Sequence, residues 1–150
     1  MNTPTKWMAS SHEPQLGKFI VIEGLEGAGK TTAMHTIKDY LEHKAIRVIL
    51  TREPGGTHVG EVIRTLLKEE RQGEVLDART ELFLLYAARV QHVEQVIKPA
   101  LSKGEWVLCD RFELSTIAYQ GGGRGLDLEL IQQVSTLCLQ GFSPDLTFFL

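Results

Sequence analysis

Several things are scarce in this 150-residue chain, and each scarcity removes a class of protein. There are two cysteines, Cys109 and Cys138, far apart and in no metal-binding or redox spacing, so neither a disulfide scaffold nor a zinc module is in view. Both read as buried thiols suited to a reducing cytosol. The five histidines also lack metal spacing and receive no role. No apolar run approaches the roughly 20 residues needed to cross a bilayer as a helix. The formal net charge is −3 and no dense Lys/Arg block occurs, which removes the electrostatic reason to expect nucleic acid. No internal repeat or low-complexity segment appears. Residues 1–17 are polar, carry Pro4 and Pro14 and lack an apolar core before a cleavage site, so they read as a disordered leader rather than a signal peptide. The expectation is a soluble, cytoplasmic chain that engages neither membrane nor nucleic acid.

What is present is ordinary in bulk and informative in order. Hydrophobic residues make up 43% and charged residues 23%, the balance of one globular domain, here 18–150. From Lys18 onward, apolar runs alternate with helical patterns. FIVIE, 19–23, reads as a buried strand, followed by a helix over 30–44 with Ala33, Ile37, Tyr40 and Leu41 on one face. RVILT, 47–51, is a second strand, REPGGT a loop, and 59–68 a helix. A polar stretch, 69–77, precedes a long helix over 79–101 that Lys103-Gly104 closes. WVLCD, 106–110, is a third strand, and DLTFFL, 145–150, a further one. Between them, helical segments over 113–119 and 127–139 flank the glycine run 121–123. This alternation predicts an α/β fold with a parallel, helix-covered sheet.

GLEGAGKT, 24–31, lies between the first strand and the first helix and matches G-x-x-x-x-G-K-[ST]. Glycines at 24, 27 and 29 open backbone conformations closed to other residues, so successive N–H groups can turn toward phosphate oxygens. Lys30 brings a flexible cation to the β- and γ-phosphates, and Thr31 offers a hydroxyl to Mg²⁺. The helix N-terminus adds its partial positive charge. The reading is a nucleotide-phosphate site in which Gly24, Leu25, Glu26, Gly27, Ala28, Gly29, Lys30, Thr31 and Thr32 surround the ATP phosphates.

Parallel sheets bind ligands at the carboxyl ends of their strands. Here the P-loop follows the first strand, Arg52-Glu53 the second and Asp110-Arg111 the third, so all three strand ends deliver polar groups to one edge. Asp110 is either the carboxylate that supports Mg²⁺ or a helix cap. Arg111 offers a planar fork to a phosphate, or else closes a buried ion pair. Arg89 lies in the row Leu85, Arg89, Val93, Ile97. A guanidinium on an apolar stripe either snorkels to solvent or faces a cleft and a ligand, with Tyr86 close by. Arg52 precedes Glu53-Pro54-Gly55-Gly56, a rigid turn in which a cis bond before proline is one option. The GGGRG run around Arg124 reads as a mobile loop, with an anion contact as the weaker alternative.

Taken in order, GLEGAGKTT, TREPGG, YAARVQ, DR and YQGGGRG closely resemble the thymidylate kinases, particularly those of the enteric-bacterial type, over residues 18–150. The resemblance implies a three-layer P-loop nucleoside-monophosphate-kinase fold. It also implies transfer of the ATP γ-phosphoryl group to dTMP, giving dTDP, by a Mg²⁺-dependent homodimer of dTTP synthesis. Carried over residue by residue, it makes Lys30, Asp110 and Arg111 catalytic, with Thr31 and Asp110 toward the metal. Arg111 and Arg52 hold the dTMP phosphate. Arg89 bonds the thymine carbonyl, Thr116 lies beside the base, and Glu26 reaches the 3′-hydroxyl. Tyr119 crowds the sugar 2′ position and so favours deoxyribose. Glu53, Pro54, Leu85, Tyr86, Ser115 and Gln120 complete the acceptor site.

Two departures from the family pattern are visible. Leu85 stands where the family commonly has Phe, leaving Tyr86 as the alternative ring for the base. The relatives also continue past the DLTFF-type strand into an arginine-bearing lid, so the chain reads as incomplete at its C-terminus. Two other readings stay open: a different P-loop nucleotide or deoxynucleoside kinase, and a P-loop module that binds nucleotide without catalysis.

Overall fold

Phe19–Glu23 (β1) and Trp106–Asp110 (β3) are apolar almost throughout and form the centre of a parallel sheet. Such unbroken runs suit strands covered on both faces. In the computed structural model, which describes residues 16–69 and 73–150, β1 is buried at every position. Val48–Arg52 (β2) pairs with the far side of β3, and Leu146–Phe149 (β4) with the far side of β1, giving the order β2-β3-β1-β4 with all pairs parallel. The leader expected over 1–17 lies outside the described residues except for Leu16 and Gly17, and residues 70–72 of the expected polar stretch also lie outside them.

Side chains alternate across the sheet, and two cores result. Ile20, Ile22 and Leu108 meet Met34 and Ile37 of the helix Lys30–Glu42 (α1) on one face. Phe19, Val21, Val107 and Cys109 point the other way. There they meet Leu82 and Tyr86 of Ala78–His92 (α3), Ala100 of Lys98–Ser102 (α4) and Ile131, Val134 and Leu139 of Leu128–Leu139 (α6). Each fully buried aliphatic or aromatic side chain contributes about 1.5–3 kcal/mol, so this larger face dominates stability. The parallel, helix-covered sheet expected from the alternation is present, in the three layers that the resemblance implies.

The buried face of α1 departs from the expected one. Met34 and Leu41 are buried, with Ile37 packed beside them, whereas Tyr40 is exposed under the Lys44 ammonium at 5.0 Å. The long helix runs continuously from Ala78 to Ser102 but widens to π geometry over Val93–Ile97. Pro99, at the start of α4, lacks the N–H that would bond Gln95, and the widened turn immediately precedes it.

The glycine run is not a loop. Glu113–Thr116 (α5) continues into a wide helical turn, Ile117–Gly123, packed on α6. A Cβ on Gly121 would lie 2.8 Å from Leu128 Cδ2, the end of an exposed side chain that can shift. Arg124 just beyond pairs with Glu81 at 2.6 Å. Of the thiols, Cys109 is fully buried and Cys138 half-buried, and both are free. Burial pushes the Cys109 thiol well above its ordinary range, which makes it unreactive.

Candidate active site

The strand ends meet as the sequence expects. Ile22 of β1 and Arg52 of β2 both register with Asp110 of β3, so the P-loop, the Arg52-Glu53 turn and Asp110-Arg111 leave the sheet at one level. In the P-loop, Gly24, Gly27 and Gly29 have φ of +146°, +78° and +90°. The backbone therefore uses the freedom those positions were expected to need. Lys30 is buried at the start of α1, and its Nζ donates to Gly24 O at 3.2 Å and Leu25 O at 2.8 Å across the loop. Gly24 also abuts Leu150, the residue after β4: a Cβ there would lie 2.6 Å from Leu150 O. Gly24→Ala is expected to cost about 1–3 kcal/mol through positive φ and this contact, which urea unfolding would read.

Glu23, to which sequence reasoning gave no role, organises the next turn. Its buried carboxylate accepts from Phe112 N at 2.8 Å, Ser115 N at 3.3 Å and Ser115 Oγ at 2.5 Å. It thereby supplies acceptors for the orphan donors at the start of α5. The chain turns sharply there, with Arg111 at φ +72° and its N–H bonded to Ile22 O. The Arg111 guanidinium then lies over the Tyr119 ring at 5.6 Å and donates to Ser115 Oγ at 3.2 Å. The only sequence signal for Glu23 is an acid closing an otherwise apolar strand.

Arg89 is buried, so it does not snorkel. Its Nε donates to Glu53 Oε2 at 2.6 Å, and its Nη2 donates to Phe112 O at 3.0 Å and Thr116 Oγ1 at 2.9 Å. Burial pulls its pKa down, but the Glu53 carboxylate more than offsets this and holds it above the ordinary value. Nη1 is buried and has no hydrogen-bond partner among the described residues. Glu53 precedes Pro54 through a cis bond, the option the sequence left open. Its other oxygen faces His92 Nδ1 at 3.1 Å.

A cleft of about 490 Å³ opens beside these groups. Of the residues the sequence nominated for the acceptor, it is lined by Glu26, Glu53, Pro54, Leu85, Arg89, Arg111, Ser115, Thr116, Tyr119 and Gln120. Phe112 also lines it, as do Arg64, Leu67 and Lys68 from the helix His58–Lys68 (α2) and Glu81 from α3. None of these five was anticipated. Glu81 is held by Gln120 and Arg124, each at 2.6 Å. Burial raises its pKa, but these two partners, Arg124 foremost, bring it below the ordinary value.

Two nominated residues do not reach the cleft. Tyr86 is fully buried, its ring against the Arg89 guanidinium at 4.7 Å and its hydroxyl donating to Glu113 at 3.1 Å. Burial pushes its phenol up to about 12. Its ring packs on Arg89 and is absent from the cleft lining. Arg52 is exposed, and its fork engages both Glu61 oxygens at 2.9 and 3.0 Å rather than the cleft. Glu61 raises the Arg52 pKa in turn.

Asp110 Oδ1 is buried and has no hydrogen-bond partner among the described residues, an oxygen donor of the kind Mg²⁺ takes. Among the described residues no cluster of three or more His, Cys, Asp or Glu is gathered for a metal.

A parallel sheet with a P-loop after β1 and a cation-lined cleft at the ends of β2 and β3 defines a P-loop nucleotide-binding α/β protein. Residues 22–150 match the family model for thymidylate kinase, and the chain belongs to the thymidylate kinase family. It is 60% identical over 134 residues to the thymidylate kinase of Legionella pneumophila strain Corby, covering 89% of this chain and 63% of that protein. The strain Paris protein is 59% identical over the same length and coverage. The crystal structure of thymidylate kinase from Ehrlichia chaffeensis matches with a TM-score of 0.79 and 45% identity, covering 89% of this chain and 70% of that one. The chain thus spans 63% of the length of these curated relatives. No helix among the described residues is long and apolar enough to cross a membrane.

Proposed function

We propose that the chain provides the nucleotide sites of a thymidylate kinase, moving the γ-phosphoryl group of ATP to dTMP to give dTDP for dTTP synthesis. The observation that carries this reading is the cleft itself. Its lining includes Arg111, Glu26 of the P-loop and Arg89, whose buried Nη1 has no hydrogen-bond partner among the described residues. A nucleoside monophosphate has the matching order: an anionic phosphate, a sugar and a base with an acceptor carbonyl.

In this reading Arg111 holds the acceptor phosphate and Arg89 Nη1 donates to the thymine carbonyl. Thr116 flanks the base, while Leu85, Pro54 and Gln120 close round it. Ser115 steadies the Arg111 fork. Tyr119 limits the 2′ position and Glu26 takes the 3′-hydroxyl. A carboxylate beside a polyphosphate is unfavourable unless it is used, and a sugar hydroxyl gives Glu26 that use. Residues 24–32 cradle the ATP phosphates, and Thr31 and Asp110 hold Mg²⁺, which neutralises phosphate charge when bound. The acceptor phosphate oxygen is already anionic at neutral pH, so no general base is needed and the protein contributes positioning and charge. Arg52, held by Glu61, reaches the acceptor phosphate only by leaving that partner. A homodimer in the cytoplasm completes the reading.

A panel of monophosphates with Mg-ATP tests the proposal. dTMP is expected to exceed dUMP, dCMP and ribonucleotide acceptors in kcat/KM by about tenfold or more. A flat profile would favour another monophosphate kinase, and ATP binding with no transfer to any acceptor would favour a binding module.

A further inference from the structure

His92 lies one turn beyond Arg89 on α3, is fully buried and is absent from the cleft lining. Its Nδ1 is 3.1 Å from Glu53 Oε1 and its Nε2 is 2.7 Å from Thr51 Oγ1. Glu53 Oε2 in turn takes Arg89 Nε at 2.6 Å. A carboxylate only accepts, so Nδ1 carries a proton and donates. The glycine turn closes over the ring as well: a Cβ on Gly56 would lie 2.5 Å from His92 Cδ2.

We infer that His92 is a positioning residue for acceptor recognition: it fixes the Glu53 carboxylate, which aims Arg89 into the cleft. The inference rests on the reading of Arg89 given above. Each Glu53 oxygen has one partner on α3, so the carboxylate is pinned at both ends. Without the His92 donor, a buried oxygen would be left bare, a costly state. Its nearest remedy is two-pronged pairing with Arg89. That pairing competes with Phe112 O and Thr116 Oγ1 for Nη2 and turns Nη1 away from its present direction. A histidine that only filled space would leave Arg89 where it is.

The two ring nitrogens can be tested apart. His92→Asn sets an amide N–H near the place of Nδ1 and keeps the donor to Glu53, whereas His92→Gln sets it near Nε2 and keeps only the Thr51 contact. His92→Asn is expected to hold the dTMP KM within about twofold of the parent, and His92→Gln to raise it about tenfold, with kcat and the ATP KM little changed. Equal dTMP KM values in the two variants, or a fall in kcat alone, would overturn the inference. A nitrogen-15 spectrum of the unmodified protein adds a measurement that needs no variant and no substrate. It is expected to show a proton on His92 Nδ1 and a slowly exchanging Arg89 Nε–H, and an unprotonated Nδ1 would overturn the inference. A protein that passes this spectral test but shows no preference for dTMP would instead count against the thymidylate reading.

Discussion

Arg111→Ala and Lys30→Ala are each expected to lower turnover by about a thousandfold or more while leaving the protein folded. Both side chains bear on charge that moves during transfer. Lys30 Nζ rests on two backbone carbonyls of the P-loop, at 2.8 and 3.2 Å. These are weak neutral acceptors that a polyphosphate replaces with charged ones. Arg111 is set by backbone as much as by side chain. The turn at φ +72° and the bond to Ile22 O direct it into the cleft, and Ser115 and Tyr119 steady its guanidinium. Neither residue belongs to the apolar cores, so circular dichroism of both variants should match the parent. A coupled assay with dTMP and Mg-ATP measures the loss. Arg111→Lys keeps the charge without the fork and is expected to recover only a small part of it. Near-normal turnover in Arg111→Ala would exclude the phosphate clamp.

How much of this was legible beforehand varies with the range of the interactions involved. FIVIE and WVLCD declare themselves because a strand buried on both faces must be apolar at nearly every position, and both strands are. The P-loop is equally plain, since its three glycines adopt the positive φ that only glycine takes freely. The face of α1 was misjudged where two stripes fit the same apolar residues. Met34, Ile37 and Leu41 follow one another at spacings of three and four, and packing on Ile20 and Ile22 selects that stripe over Tyr40. The glycine run reads as a loop on local chemistry alone. The packing of the Ile117–Gly123 turn against α6, which accompanies its helical form, is a tertiary fact.

The site divides in the same way. Residues at strand ends or in spaced motifs could be nominated, and ten of the twelve acceptor nominees line the cleft. Tyr86 and Arg89 are three apart on one helix, and periodicity cannot say which of them faces the cavity and which lies beneath it. Glu23 acts on Phe112 and Ser115, 89 and 92 residues away, and Glu53 meets His92 across 39. Pairings over such distances leave no local pattern, so Glu23 and His92 were invisible. Arg64 and Lys68 fall in the same gap: two cations one turn apart on α2 look like a solvated face until α2 is seen to form a wall of the cleft.

Glu53→Ala is expected to destabilise the fold by about 3–5 kcal/mol, far more than Glu61→Ala, although both remove the carboxylate partner of an arginine. Burial makes the difference. The side chains of Glu53 and Arg89 are 4% and 3% exposed, whereas those of Glu61 and Arg52 are 46% and 44% exposed. Without Glu61, Arg52 turns to water, and an exposed pair of this kind is worth about 1 kcal/mol or less. Without Glu53, the Arg89 guanidinium cannot reach water. It keeps Phe112 O and Thr116 Oγ1, while Nε joins Nη1 as a buried donor without an acceptor and a full charge stays uncompensated. His92 loses its Nδ1 acceptor in the same step. Urea unfolding of the two variants gives the comparison directly. The double variant Glu53→Ala with Arg89→Met should recover part of the loss, because no uncompensated charge then stays in the core, while His92 Nδ1 and Phe112 O still lack their partners. If Glu53→Ala cost no more than Glu61→Ala, the buried pair would not be what holds the Arg52–Gly56 turn to α3.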